Sequence, residues 1–298
     1  MSRPEHIPVL LDESLDKLAG DRPGLYVDCT LGLGGHSFEI LRRNPKAEIV
    51  GLDLDEQAIR IAQQRLEPFG DRVTLYLSDY RNLPEIEIDF KRVRGVLVDR
   101  GMSSFQLDSP ERGFSHGVDG PLDMRMDLRA KMSAAKILEK ASEIKLAQIF
   151  RDYGELRQAH KLARAIASAR RLKPLESTTE LRVLVEQVCH WIPQKGKIHP
   201  ASKVFQALRI EVNNELENQD AFLESTLRLL PPGGRLVVIS FHSLEDRIVK
   251  HTFLKLADAA SGSPLIDILT RKPVTPSEAE VARNPRSRSA KLRAAERR

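Results

Sequence analysis

The chain has 298 residues, 41% of them hydrophobic and 30% charged, with a formal net charge of +5. That suffices for one large domain plus an insert, or for two domains, and so modest a positive excess matters through local clustering. Two cysteines without a Cys-x-x-Cys, and eight dispersed histidines, exclude a disulfide-stapled fold and a protein-ligated zinc site, so no metal is expected.

No apolar run approaches the ~20 residues of a membrane helix, and no basic-then-apolar signal pattern opens the chain. A soluble cytoplasmic protein with no membrane partner is expected. Residues 5–20 read as a short amphipathic helix on Leu10, Leu11, Leu15 and Leu18. A first strand at 25–28 ends on Asp28 and passes through a glycine-rich turn into a helix at about 35–43. Such glycines let a ligand lie against bare backbone at a helix N-terminus. A second strand, 48–52, ends at Asp53, and 55–66 reads as helix. A third strand at 73–77 precedes Tyr80, and a fourth at 94–98 ends at Asp99. Short β-branched runs alternating with helical pattern predict parallel strands with crossover helices.

From about 101 to 200 the alternation stops. Helical segments are expected near 134–140, 143–153, 155–172 and 178–189. The α/β pattern then returns with a long helix at about 202–229, a Pro-Pro-Gly-Gly turn at 231–234 and a strand at 235–239. Ser243 reads as the N-cap of a helix running to about 260. Weaker runs at 264–270 and 289–296 would add edge strands. The expected architecture is α/β: a doubly wound sheet from 1–100 and 201–298, with a helical insert at 101–200.

Ligands of open parallel sheets sit beyond the carboxyl ends of the strands, where the strand order switches. Asp28, Asp53, Asp99 and Phe241-His242 end four of the five central strands here. An acid after the second strand can accept both ribose hydroxyls of an adenosine; Asp53 either does this or caps the next helix. Tyr80 could flank an adenine or pack internally, and His36 could touch a cofactor or merely begin its helix. Gly32, Gly34 and Gly35 give Gly-x-Gly-Gly, with Ser37 where a dinucleotide fingerprint needs its third glycine. A glycine loop plus a ribose acid without a phosphate cradle suits S-adenosylmethionine. A nicotinamide oxidoreductase fits the strand–loop–acid unit but not the missing glycine.

Six Lys/Arg and no acids lie between Leu156 and Leu175. On a helix, Arg157, Lys161, Arg164 and Arg171 fall opposite Ala159, Leu162, Ala163 and Ile166. A second basic cluster, Arg283, Arg286, Arg288, Lys291, Arg293, Arg297 and Arg298, closes the chain. Two such clusters beside a cofactor pocket favour a polyanionic substrate, although either one alone could be solvated surface.

Longer stretches resemble one family, the bacterial 16S ribosomal RNA (cytosine-N4)-methyltransferases known as the RsmH or MraW family. They are residues 6–11, 31–37, 108–115, 119–127, 199–201, 205–210, 240–247 and 284–293, in order and at family-like spacing. The resemblance implies a class I S-adenosylmethionine-dependent methyltransferase with an inserted all-α subdomain. Its activity would be transfer to the exocyclic amine of a cytidine in the decoding region, with 16S rRNA or the small ribosomal subunit as partner. It places cofactor contacts on Gly34, Gly35, His36, Asp53, Tyr80, Asp99 and Gln106, of which Gln106 comes from the resemblance alone. The family carries an apolar residue where this chain has Arg100.

The insert and the basic C-terminal segment, through Arg157, Lys161, Arg164, Arg286 and Arg288, are expected to grip RNA. His242 is either a substrate-pocket residue or a packed histidine. No residue is assigned as general base. An assembly factor that binds RNA on the same fold without catalysis is the alternative.

Overall fold

Hydrophobic parity along the strands explains the sheet. Leu25, Val27, Val50, Leu52, Val96, Val98, Leu236 and Val238 pack on one face. Tyr26, Ile49, Leu97, Val237 and Ile239 alternate with them and pack on the other. Strands apolar on both faces need a cover on each side, which crossover helices provide.

The computed structural model describes residues 8–102, 104–194, 197–258 and 263–298. In chain order its elements begin α1 (Leu11–Leu18), β1 (Gly24–Asp28), α2 (Gly35–Arg43), β2 (Ala47–Asp53), α3 (Glu56–Leu66), β3 (Val73–Leu77) and β4 (Val93–Asp99). Six helices follow: α4 (Ser104–Asp108), α5 (Ala134–Lys140), α6 (Glu143–Asp152), α7 (Ala159–Leu172), α8 (Thr178–Cys189) and α9 (Pro200–Asn213). The chain closes with α10 (Gln219–Leu229), β5 (Arg235–Ser240), α11 (Ser243–Ala257), β6 (Ile266–Ile268), α12 (Glu278–Arg283) and β7 (Lys291–Arg297).

The strand order is β3-β2-β1-β4-β5-β7-β6. Strands β1 to β5 run parallel, and β7 pairs antiparallel with both β5 and β6. Order reverses between β1 and β4, so the switch point lies beside Asp28 and Asp99. This is the Rossmann-like, doubly wound sheet expected of a class I methyltransferase. Of the two expected edge strands, only β6 is an edge. No helix among the described residues is long and apolar enough to cross a membrane.

The chain forms two compact units, Met1–Ser103 with Asn218–Arg298, and Ser104–Glu217. The expected boundary at 200 moves to 217, because α9 packs on α5, α6 and α8. The single helix expected over 202–229 is two helices. Asn214 closes α9 and Asn218 precedes α10, both at positive φ (50° and 54°), a conformation asparagine adopts more readily than most residues. The helix expected over 5–20 starts only at Leu11, because Leu10 takes the left-handed conformation (φ 51°). His6 and Ile7 of the family-like segment lie outside the described residues, as does residue 260, where α11 was expected to end.

Candidate active site

The turn after β1 is stitched to both neighbouring strands. Cys29 N donates to Leu97 O of β4 and Leu31 N to Leu52 O of β2, each at 2.8 Å. The glycines then do what a side chain could not. Gly34 caps α2 in the left-handed region (φ 73°). A Cβ on Gly35 would stand 2.6 Å from the rigid ring of Pro8.

Asp53, at the tip of β2, holds this turn. Its Oδ2 accepts from Gly32 N (2.8 Å) and its Oδ1 from Asp55 N (2.9 Å). Helix α3 is capped by Asp55, whose carboxylate accepts from Gln57 N, so the helix-cap reading of Asp53 fails. Burial pushes the Asp53 carboxyl up to about 6, against the pull of the Asp55 and Gly32 amides. The Leu54 amide adds to that pull. A carboxylate offers about four acceptor positions, so a strand-tip acid held by backbone amides yet still partly open suits a vicinal diol, and the residues fit the ribose of an adenosine.

Three further groups lie at the switch point. Asp28 is almost wholly buried and accepts from Ser37 Oγ at 2.7 Å. Burial raises its carboxyl to about 6, with the adjacent His36 opposing. His36, also buried, places Nε2 3.0 Å from Val9 O. Because a carbonyl only accepts, Nε2 carries the proton, and burial holds this imidazole below its usual pKa, toward neutral. Its Nδ1 faces Asp99 Oδ2 at 3.9 Å. Asp99 keeps a fifth of its side chain open. Burial raises its carboxyl to about 7, with Gly101 N–H lowering it and Glu245 adding repulsion. Thr30 Oγ1 accepts from Asp99 N at 2.6 Å and locks this strand tip to the glycine turn.

Tyr80 stands past the end of β3, which pairs with β2 at Leu77 and Asp53. Its ring meets Phe222 edge-on at 4.8 Å, and its hydroxyl accepts from Gln219 Nε2. Helix α10 thus fixes the phenol. Arg100 is buried, with Nε 3.7 Å from Glu245 Oε1. Glu245 also accepts from Phe241 N (2.9 Å) and closes a capping box with His242 at the start of α11. The cap is therefore His242, not Ser243, and both ring nitrogens of His242 turn toward Glu245. This is the packed-histidine reading. Sequence reasoning missed Glu245, although His242 and Glu245 have the three-residue spacing of a capping box.

The remaining expected residues are dispersed. Gln106 lies on α4, in the helical unit, and is buried. Helix α7 buries Ala159, Leu162, Ala163 and Ile166 as expected, but Arg157 precedes it. Lys161 Nζ donates to Val188 O at the end of α8 (2.9 Å), and Arg164 lies 3.5 Å from Glu143. The C-terminal cluster is also partly structural. Arg293, in β7, is buried against Asp246 of α11 (2.6 Å), and Arg298 pairs with Asp267. Arg286 and Arg288 are exposed.

The sequence model of the MraW methylase family matches residues 3–298. Three curated relatives are each named ribosomal RNA small subunit methyltransferase H. That of Symbiobacterium thermophilum is 46% identical, covering 97% of this chain and 95% of its own. That of Carboxydothermus hydrogenoformans is 46% identical over 98% and 97%. A Cyanothece relative is 47% identical over 98% and 94%.

Proposed function

This chain belongs to the MraW methylase family, and from that premise we propose that it methylates N4 of a cytidine in the decoding region of 16S ribosomal RNA, with S-adenosylmethionine as donor. The observation that carries the reading is Asp53, a partly open strand-tip carboxylate held by backbone amides beside a glycine turn, with its ionisation opposed by burial. The donor supplies a methyl group on a sulfonium, an excellent leaving group. The protein's task is then alignment and exclusion of water. Asp53 holds the ribose, Gly34 and Gly35 admit the donor against bare backbone, and Tyr80 flanks the adenine. His36 and Asp99 line the same strand tips.

The amine's lone pair is delocalised into the cytosine ring. An acceptor taking a hydrogen bond from N4 would favour a pyramidal nitrogen and help it attack. Asp99 contacts the donor first, and no group is assigned the proton that the amine releases. Gln106 joins the cofactor set on the strength of the family resemblance. Arg157, Arg286 and Arg288 supply cations for the RNA backbone, Lys161 and Arg164 being engaged within the helical unit, and the protein works in the cytoplasm.

Mass spectrometry of 16S rRNA incubated with the protein and donor tests the assignment. The expected product is a single methyl group on one decoding-region cytidine, on the base and not on its ribose. Donor binding without transfer to any RNA would favour the assembly-factor alternative.

A further inference from the structure

Helix α12 opens with the order expected of a capping box, Ser277 as N-cap and Glu280 three residues on. Glu280 N donates to Ser277 Oγ, as a capped first turn requires. Its carboxylate, however, reaches 270 positions back along the chain to accept from Leu10 N, with Oε1 at 2.8 Å. Leu10 is buried in the left-handed conformation, which a non-glycine residue holds only where its surroundings over-determine it.

Leu10 N–H and Val9 C=O are the two ends of one planar peptide group. The Val9 end accepts from His36 Nε2 at 3.0 Å. Carboxylate, peptide and imidazole therefore form one continuous hydrogen-bonded chain. A charge at the N–H end polarises the peptide and makes its carbonyl a stronger acceptor. His36 Nδ1 is left as a lone pair 3.9 Å from Asp99 Oδ2.

We propose that Glu280 is a positioning residue: acting through the Val9–Leu10 peptide, it fixes His36 as the Nε2–H tautomer and keeps Nδ1 turned toward Asp99 in the donor site. The proposal rests on the methyl-donor reading of that site. Among the described residues, Asp28, Asp99 and Glu280 are the charged groups acting on this imidazole. With the tautomer fixed, an ionised Asp99 faces a lone pair and a protonated Asp99 faces an acceptor. Donor binding should therefore follow a pH profile that depends on Glu280, a residue outside the site.

Long-range proton–nitrogen NMR of the ring nitrogens, with His36→Gln to assign the signal, reads the tautomer directly. Wild type should show Nε2–H, and an Nδ1–H signal there would overturn the proposal without any variant. Glu280→Gln retains an acceptor oxygen and should keep the tautomer. Glu280→Ala should show mixed tautomers and bind S-adenosylmethionine about tenfold more weakly, the size of one hydrogen bond, with a displaced pH profile by calorimetry. An alanine variant with the wild-type tautomer and pH profile would reduce Glu280 to a surface tie and leave the transferase reading intact. Wild-type protein that binds no donor would overturn that reading, and this role with it.

Discussion

The acids at the strand tips and the cations of the helical unit were both conspicuous in the sequence, yet the structure treats them in opposite ways. Asp28, Asp53 and Asp99 are buried far enough to lift all three carboxyls to about 6 or 7, and hydrogen bonds do not bring them back down. The cations of α7 lie on the surface, and several already serve the protein. Lys161 and Arg170 bind carbonyls at the ends of α8 and α5, and Lys173, just past α7, pairs with Glu180. An acid whose surroundings oppose its ionisation points to a ligand more sharply than a plentiful charge on a solvated face.

The largest effect that could break this contrast is expected at Asp53. Asp53→Ala removes two hydrogen bonds between ribose hydroxyls and a charged acceptor, roughly 1.5–3 kcal/mol each. Affinity for S-adenosylmethionine should fall by at least about a hundredfold, while RNA affinity stays unchanged. Calorimetry showing intact donor binding would remove the ribose assignment and, with it, the special standing of the strand-tip acids.

A smaller effect comes from pH. Asp53 must be ionised to accept from both hydroxyls, so donor affinity should rise as pH climbs through about 6 and then level off. The slope below that point is about tenfold per unit. Stability of the ligand-free protein should run the other way. With folded pKa values raised above the unfolded 3.8, the native state binds more protons than the unfolded state between about pH 4 and 7. Stability from these groups is complete below that window and is lost as pH rises through it. Urea melts at pH 5 and 7.5, beside titrations at the same values, measure both signs. Parallel trends would show that the acids answer to the fold alone.

How much of this was legible in sequence follows from how local each signal is. Strand positions and the glycine turn rest on apolar alternation and on a backbone need that only glycine meets, so they fell within a residue or two of their observed places. Asp53 and Asp99 could be singled out as candidates because the carboxyl ends of parallel strands line one side of the sheet. The break at Asn214 to Asn218 was invisible because asparagine left-handed caps leave the apolar spacing on either side undisturbed. Arg100 stands where the family carries an apolar residue, and its acidic partner lies 145 positions away on α11. Arg293 read as part of a basic tail because nothing local tells a β7 residue bound to Asp246 from a solvated one.

The same blindness to partners sets the last prediction, on the helical unit's RNA grip. If Arg157, Lys161 and Arg164 were three free cations on one face, neutralising them together would flatten the salt dependence of RNA binding by about 0.7–0.9 log unit for each of three phosphates. The structure lowers that expectation. Lys161 closes the end of α8, where a cation already has carbonyls to serve. Arg164 has Glu143 within 3.5 Å, and Arg157, exposed and outside the helix, is the one best placed to meet a phosphate. The triple variant should therefore lose about one contact, a change of roughly 0.7–0.9 in the slope of log K against log salt, most of it reproduced by Arg157→Gln alone. A loss near three contacts would mean that these internal pairs open when RNA binds. No change at all would leave the whole face as solvated surface and shift the search for the RNA contact to Arg286 and Arg288.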